Sequence, residues 1–172
     1  MVPPRALFGI SVILSFAVWG VVAALYVWPA LRDLPLVRAL RPILLLHAFR
    51  FVGLAFLVPG VVSPELPAEF ARPAAYGDIV TAVLALLALA TLPGRLGLVL
   101  TWAFNLCGSV DLLYAFYQGN ATTIGEAPGL MGAAYFIPTI LVPLLLVTHV
   151  LVFRLLLRGE SRAVAGDSQA LG

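Results

Sequence analysis

Long apolar runs alternate along this chain with short breaks rich in proline, glycine and arginine. The runs extend from about Leu7 to Trp28, Pro42 to Val62, Pro73 to Leu92, Leu96 to Tyr117 and Ala133 to Phe153. Each approaches the roughly 20 residues a helix needs to cross a hydrocarbon core of about 30 Å. Lipid offers no partner to an unpaired backbone group, and the strict alternation of a barrel strand is absent, so every run predicts a transmembrane helix. The predicted fold is all-α, a polytopic membrane bundle of five transmembrane helices over residues 1–158. A small, polar tail, 159–172, is expected to be disordered and cytoplasmic. Pro29, Pro35, Pro42, Pro64, Pro67, Pro73, Pro93-Gly94, Gly119 and Pro128-Gly129 punctuate the predicted boundaries. Pro59, Pro138 and Pro143 fall inside predicted spans, where they are expected to kink the helix or unwind its end.

Composition agrees with this pattern. Of 172 residues, 62% are hydrophobic and 10% charged, and the mean hydropathy is +1.07, against about 25% charged in a soluble domain. The ten basic residues are all arginine and lie mostly at span ends, with no basic patch interleaved with aromatics, which argues against nucleic-acid binding. Cys107 is the only cysteine, so an internal disulfide and a cysteine-based metal or haem-attachment motif are excluded. Arginine-only basic usage among abundant Ala, Leu, Val, Gly and Pro points to a GC-rich bacterial genome and hence to the cytoplasmic (inner) membrane.

Five spans put the termini on opposite sides. With the C-terminus inside, Arg32, Arg38, Arg41, Arg95, Arg154, Arg158 and Arg162 are cytoplasmic and only Arg5 and Arg72 are outside, so the positive-inside rule predicts N-out, C-in. A cleaved signal peptide ending near Val22-Ala23-Ala24 is the rival for the first run. That run is longer than a signal core and ends in the interface pair Tyr26 and Trp28. Asn120-Ala121-Thr122 matches a glycosylation sequon, read as chance so close to the membrane.

The polar residues inside the runs carry the chemistry. At about 1.5 Å per residue, His47 and His149 lie about 9 and 8 Å from the predicted cytoplasmic ends of their helices, Arg50 and Asn105 about 13 and 12 Å, and Asp78 and Asp111 about 22 and 21 Å. Three layers follow: a histidine pair, an Arg/Asn level and an aspartate pair. His47 and Arg50, three apart, share a helix face that Gly53 and Leu54 are expected to continue. Asp78, Thr81, Ala82, Ala85 and Ala88 form a small, polar stripe on the third helix, and Thr101, Asn105, Gly108, Asp111 and Ala115 form another on the fourth. Small residues let helices approach, so the stripes are expected to meet inside the bundle and Arg50 to point at the carboxylates. Ser11 and Ser15 read as packing residues of the first helix.

Three functional readings stay open. In the first, Arg50, Asp78, Asn105 and Asp111, with Tyr114 completing the hydrogen bonds, bind a small ligand, ion or proton in a transporter-like protein or a subunit of a membrane complex, since two carboxylates exceed one guanidinium by a negative charge. In the second, His47 and His149 are the axial ligands of a haem b iron in an electron-transfer protein, their shared level being what ligation between two helices requires. In the third, the network is purely structural. The paired aspartates also raise an intramembrane aspartyl protease, but Tyr76-Gly77-Asp78 and Gly108-Ser109-Val110-Asp111 lack the signatures of those enzymes, and no catalytic residue is assigned. The expected partners are the lipid bilayer and either further copies of the chain or a larger membrane complex.

Overall fold

The computed structural model describes residues 2–121, 124 and 126–170, the side chains of 120, 121 and 160–170 excepted. Among the described residues the fold is all-α. Five helices are long and apolar enough to cross a membrane: α1 (Pro4–Leu31), α2 (Leu36–Leu57), α3 (Ala68–Thr91), α4 (Arg95–Gly119) and α5 (Ile137–Gly159). The backbone helix of α5 continues to Ala170. The side chains of the expected tail beyond Gly159, and the sequon at Asn120, lie outside the described residues.

α3 lies along both α2 and α4, and α5 closes the group by packing on α2 and α4. α1 sits outside this four-helix group, against α5 and the segment before it. Its first nineteen residues bury no side chain, and Leu7, Ile10, Ile13, Leu14, Val18 and Val21 face outward. One end of the bundle carries Arg32, Arg38, Arg41, Arg95, Arg154 and Arg158; the other carries Glu65, Glu69 and Glu126 with Arg5 and Arg72. At the Arg-bearing end the guanidiniums of Arg154 and Arg158 stack on Trp28, 4.3 and 5.3 Å from its ring centroid, and tie the end of α1 to α5. At the Glu-bearing end the two long connections pair through Ser63 N–H to Leu130 O (2.9 Å) and Ala133 N–H to Val61 O (3.0 Å). Gly132 has φ 50° there, and a Cβ would collide with the Val61 carbonyl, so glycine is required twice over.

Helix starts differ from expectation at two prolines. Pro42 and Pro73, expected at span boundaries, lie inside α2 and α3, within two turns of their starts. Pro59 lies beyond the end of α2, not within it. Pro138 falls in a single π-helical turn, Ile137–Leu141, that opens α5, and Pro143 follows at once in α-geometry; the wider turn accommodates a residue that donates no backbone hydrogen bond.

The second half of α2 changes pitch. Leu36–Ala48 is α-helical and buries Ala39, Leu40, Ile43, Leu44 and His47, whereas Phe49–Leu57 is a 3₁₀-helix that buries Arg50, Gly53 and Phe56. At three residues per turn, positions i and i+3 eclipse, so His47, Arg50, Gly53 and Phe56 stand in one inward column. Leu54, expected inward, is 38% exposed for the same reason. The stripes of α3 and α4 behave as their periodicity requires: Asp78, Thr81, Ala82, Ala85 and Ala88, and Thr101, Asn105 and Gly108, are buried.

Candidate functional site: a buried polar centre

Arg50 occupies the middle of the bundle with its side chain fully buried. Its Nε donates to Asp78 Oδ1 at 2.6 Å and one Nη to Asp111 Oδ2 at 2.5 Å. The other Nη lies 3.4 Å from the Gly108 carbonyl and 3.3 Å from His149 Nε2. One guanidinium thus ties α2 to α3, α4 and α5. Its five N–H groups and planar fork suit it to several acceptors at once, which an ammonium would not match.

That contact sets the tautomer of His149. Arginine only donates, so His149 Nε2 accepts, and the ring proton is on Nδ1, which donates to Asn105 Oδ1 at 2.7 Å. The Asn105 amide returns a bond to the His149 carbonyl at 3.3 Å. Asn105 therefore orients the histidine that Arg50 uses and does not touch Arg50 itself.

Three glycines make room for this arrangement, and they follow an order. A Cβ on Gly53 of α2 would overlap the Asp78 carboxylate from α3; on Gly77 of α3, the Asp111 carboxylate from α4; on Gly108 of α4, the His149 ring from α5. Each helix supplies a bare backbone position onto which the next helix lays its polar side chain. Close backbone approach of this kind is the use of small residues in membrane bundles.

The structure brings Arg50, Asp78, Asn105, Asp111, His47 and His149 together, and it leaves Tyr114 out. Tyr114 is 45% exposed and contacts the Tyr117 ring. At about 100° per residue, a step of three from Asp111, itself at the edge of the buried stripe, turns a further 60° or so away from the interior. The three layers expected from depth also merge, since the Arg50 fork reaches the aspartates on one side and His149 on the other.

The two histidines do not fit a haem. Their ring centroids are 4.3 Å apart, so the imidazoles are in direct contact where an iron and its macrocycle would have to intervene. Both nitrogens of His149 already have partners, and His47 Nε2 is bonded to Thr148 Oγ1 at 2.9 Å. Equal depth was the signal for ligation, and it cannot tell contact from coordination. Among the described residues no group of three His, Cys, Asp and Glu side chains gathers as a metal site. His47 is fully buried, in mutual contact with the rings of His149 and Phe104, and its Nδ1 has no hydrogen-bond partner.

Sequence reasoning missed the surroundings of this centre. Towards the Glu-bearing end, Asp78 and Asp111 border a cavity of about 290 Å³ walled by α1, α3 and α4, the ends of α2 and α5 and the capping connections. Towards the Arg-bearing end, Leu40, Leu44, Phe104 and Val152 are completely buried and close the bundle. The centre therefore opens in one direction only. No periodicity in one helix could reveal a gap between α1 and four others.

Fold and site together define a class: a five-helix, membrane-type bundle with a buried arginine held by two aspartates and a histidine, beneath a one-sided cavity. The chain belongs to the family described as a domain of unknown function, DUF8737, whose model matches residues 7–157 and so includes every residue of the polar centre. No curated protein and no solved structure matches the chain significantly.

Proposed function

We propose that the bundle lies in a bacterial cytoplasmic membrane, N-terminus out, and that its Arg50–Asp78–Asp111 centre binds a proton or small cation arriving from the outer side. The observation that carries this reading is the pairing of two carboxylates with one guanidinium on the wall of a cavity. With both carboxylates ionised the cluster holds one uncompensated negative charge in a medium of low dielectric, and a bound cation or proton removes that cost. The carboxylates keep 8% and 16% of their side-chain surface, against none for Arg50, and both border the cavity, so the excess charge sits on the accessible side. The apolar seal below makes the site a one-sided receptor in this conformation. The excess of arginine at the opposite end supports the orientation.

A purely structural network is the second reading, favoured by every guanidinium nitrogen of Arg50 having a hydrogen-bond partner. Infrared spectroscopy of the purified protein in lipid nanodiscs separates the two. Exchanging sodium for methylammonium, or changing pH, is expected to alter a carboxyl component of the spectrum that is absent from Asp111→Asn. Spectral changes that are the same in the native protein and in Asp111→Asn through both titrations refute the cation or proton site and leave the structural reading.

A further inference from the structure

We infer that the cavity above Asp78 and Asp111 is a binding site for an organic ammonium with a small aromatic or apolar body. The inference rests on the cation reading and names its ligand class. Four phenylalanines, Phe8, Phe56, Phe70 and Phe116, share the wall with the two carboxylates. Carboxylates recognise an ammonium by charge and by accepting its N–H groups. Aromatic faces attract the same cation through their quadrupole and strip water from the rest of the molecule. An inorganic ion needs no such walls, and an anion would meet two carboxylates.

The charge order along the cavity agrees. Arg5, at the rim, is paired with Glu126 at 2.5 Å, so the entrance presents a neutral pair, whereas the floor has two carboxylates for one guanidinium. Asp78 gives Oδ1 to Arg50 and Asp111 gives Oδ2, while Asp78 Oδ2 lies over Gly53 and Asp111 Oδ1 over Gly77; the 8% and 16% of side-chain surface that the two carboxylates keep is what they offer a ligand's N–H groups. Size sets the rest. An apolar cavity of about 150 Å³ holds a benzene, so about 290 Å³ has room for one ring with a short amine arm. The α1 residues on the wall run from Arg5 to Ile13, about 12 Å of helix, long enough for such a molecule to span rim to floor. Gly9 belongs to this wall, and a Cβ there meets nothing within 4 Å, so open space adjoins it.

Phenethylammonium, 2-phenylethanol and methylammonium are the probes, titrated by calorimetry into the full-length protein in nanodiscs, with empty nanodiscs as the partitioning blank. Phenethylammonium is expected to bind at least tenfold tighter than either of the others. Asp111→Asn should weaken it tenfold or more by removing charge, and Gly9→Leu should do so by filling space. Equal affinity for phenylethanol, or undiminished affinity in Gly9→Leu, overturns the inference. If methylammonium binds in an Asp111-dependent way and phenethylammonium binds no tighter, the ammonium-with-ring assignment fails while the cation site stands. If no cation gives an Asp111-dependent signal, both fall.

Discussion

Replacing Arg50 by alanine removes the one cation that two carboxylates share, and the structure sets the scale of the loss. With charge centres about 4 Å apart and an effective dielectric of about 20, each ion pair is worth about 4 kcal/mol of attraction before desolvation. Breaking a buried pair from one side typically costs about 3 to 5 kcal/mol, because the abandoned charge stays buried. Here two carboxylates are abandoned, at 2.6 and 2.5 Å from the lost nitrogens, and His149 loses its donor. In a membrane the unfolded helices also find polar partners, which lowers hydrogen-bond contributions to about 0.6 to 1.7 kcal/mol. The lower end, about 3 kcal/mol, is therefore expected for Arg50→Ala. Adding Asp111→Asn removes one abandoned charge and should restore about 1 to 2 kcal/mol, so the double variant is more stable than Arg50→Ala alone. Reversible unfolding in mixed lipid and detergent micelles, run as a full double-mutant cycle, measures the coupling. Additivity within about 0.5 kcal/mol, the behaviour of independent sites, would refute the shared-cation account.

Gly77→Ala puts a methyl group where the Asp111 carboxylate lies and should destabilise the protein by about 1 to 3 kcal/mol as an overpacking change, whereas Gly20→Ala, which meets nothing within 4 Å, should be neutral or stabilising in the same unfolding assay. Asn105→Ala leaves His149 Nδ1–H buried without its acceptor and should cost about 1 to 3 kcal/mol; nitrogen NMR of labelled histidine is expected to keep the Nδ1–H tautomer that Arg50 imposes and to show the Nδ1 resonance shifted by loss of its hydrogen bond. Tyr114→Phe should change stability by less than about 0.5 kcal/mol and leave the cation-dependent carboxyl bands intact, since the ring is exposed.

Apolar run length and the placement of proline and arginine determined the number and approximate extent of the helices, because a hydrocarbon core sets a minimum length and lipid forbids unpaired backbone. Helical periodicity determined which faces of α3 and α4 turn inward, and the scarcity of buried charge determined that Arg50 meets Asp78 and Asp111. These are properties of single helices, or of charges with few alternatives. The rest depended on how helices sit against one another. The 3₁₀ pitch of Phe49–Leu57, which turns Phe56 inward and Leu54 outward, has no mark in the residues themselves. Depth along a helix placed His47 and His149 at one level, but only packing decided that their rings touch, that Asn105 serves His149 and that no plane fits between them. Tyr114 shared a spacing with Asp111, yet the drift of 3.6 residues per turn carried it out of the bundle. The three receiving glycines and the cavity beside α1 are relations between helices, and a sequence read one helix at a time does not contain the distances that create them.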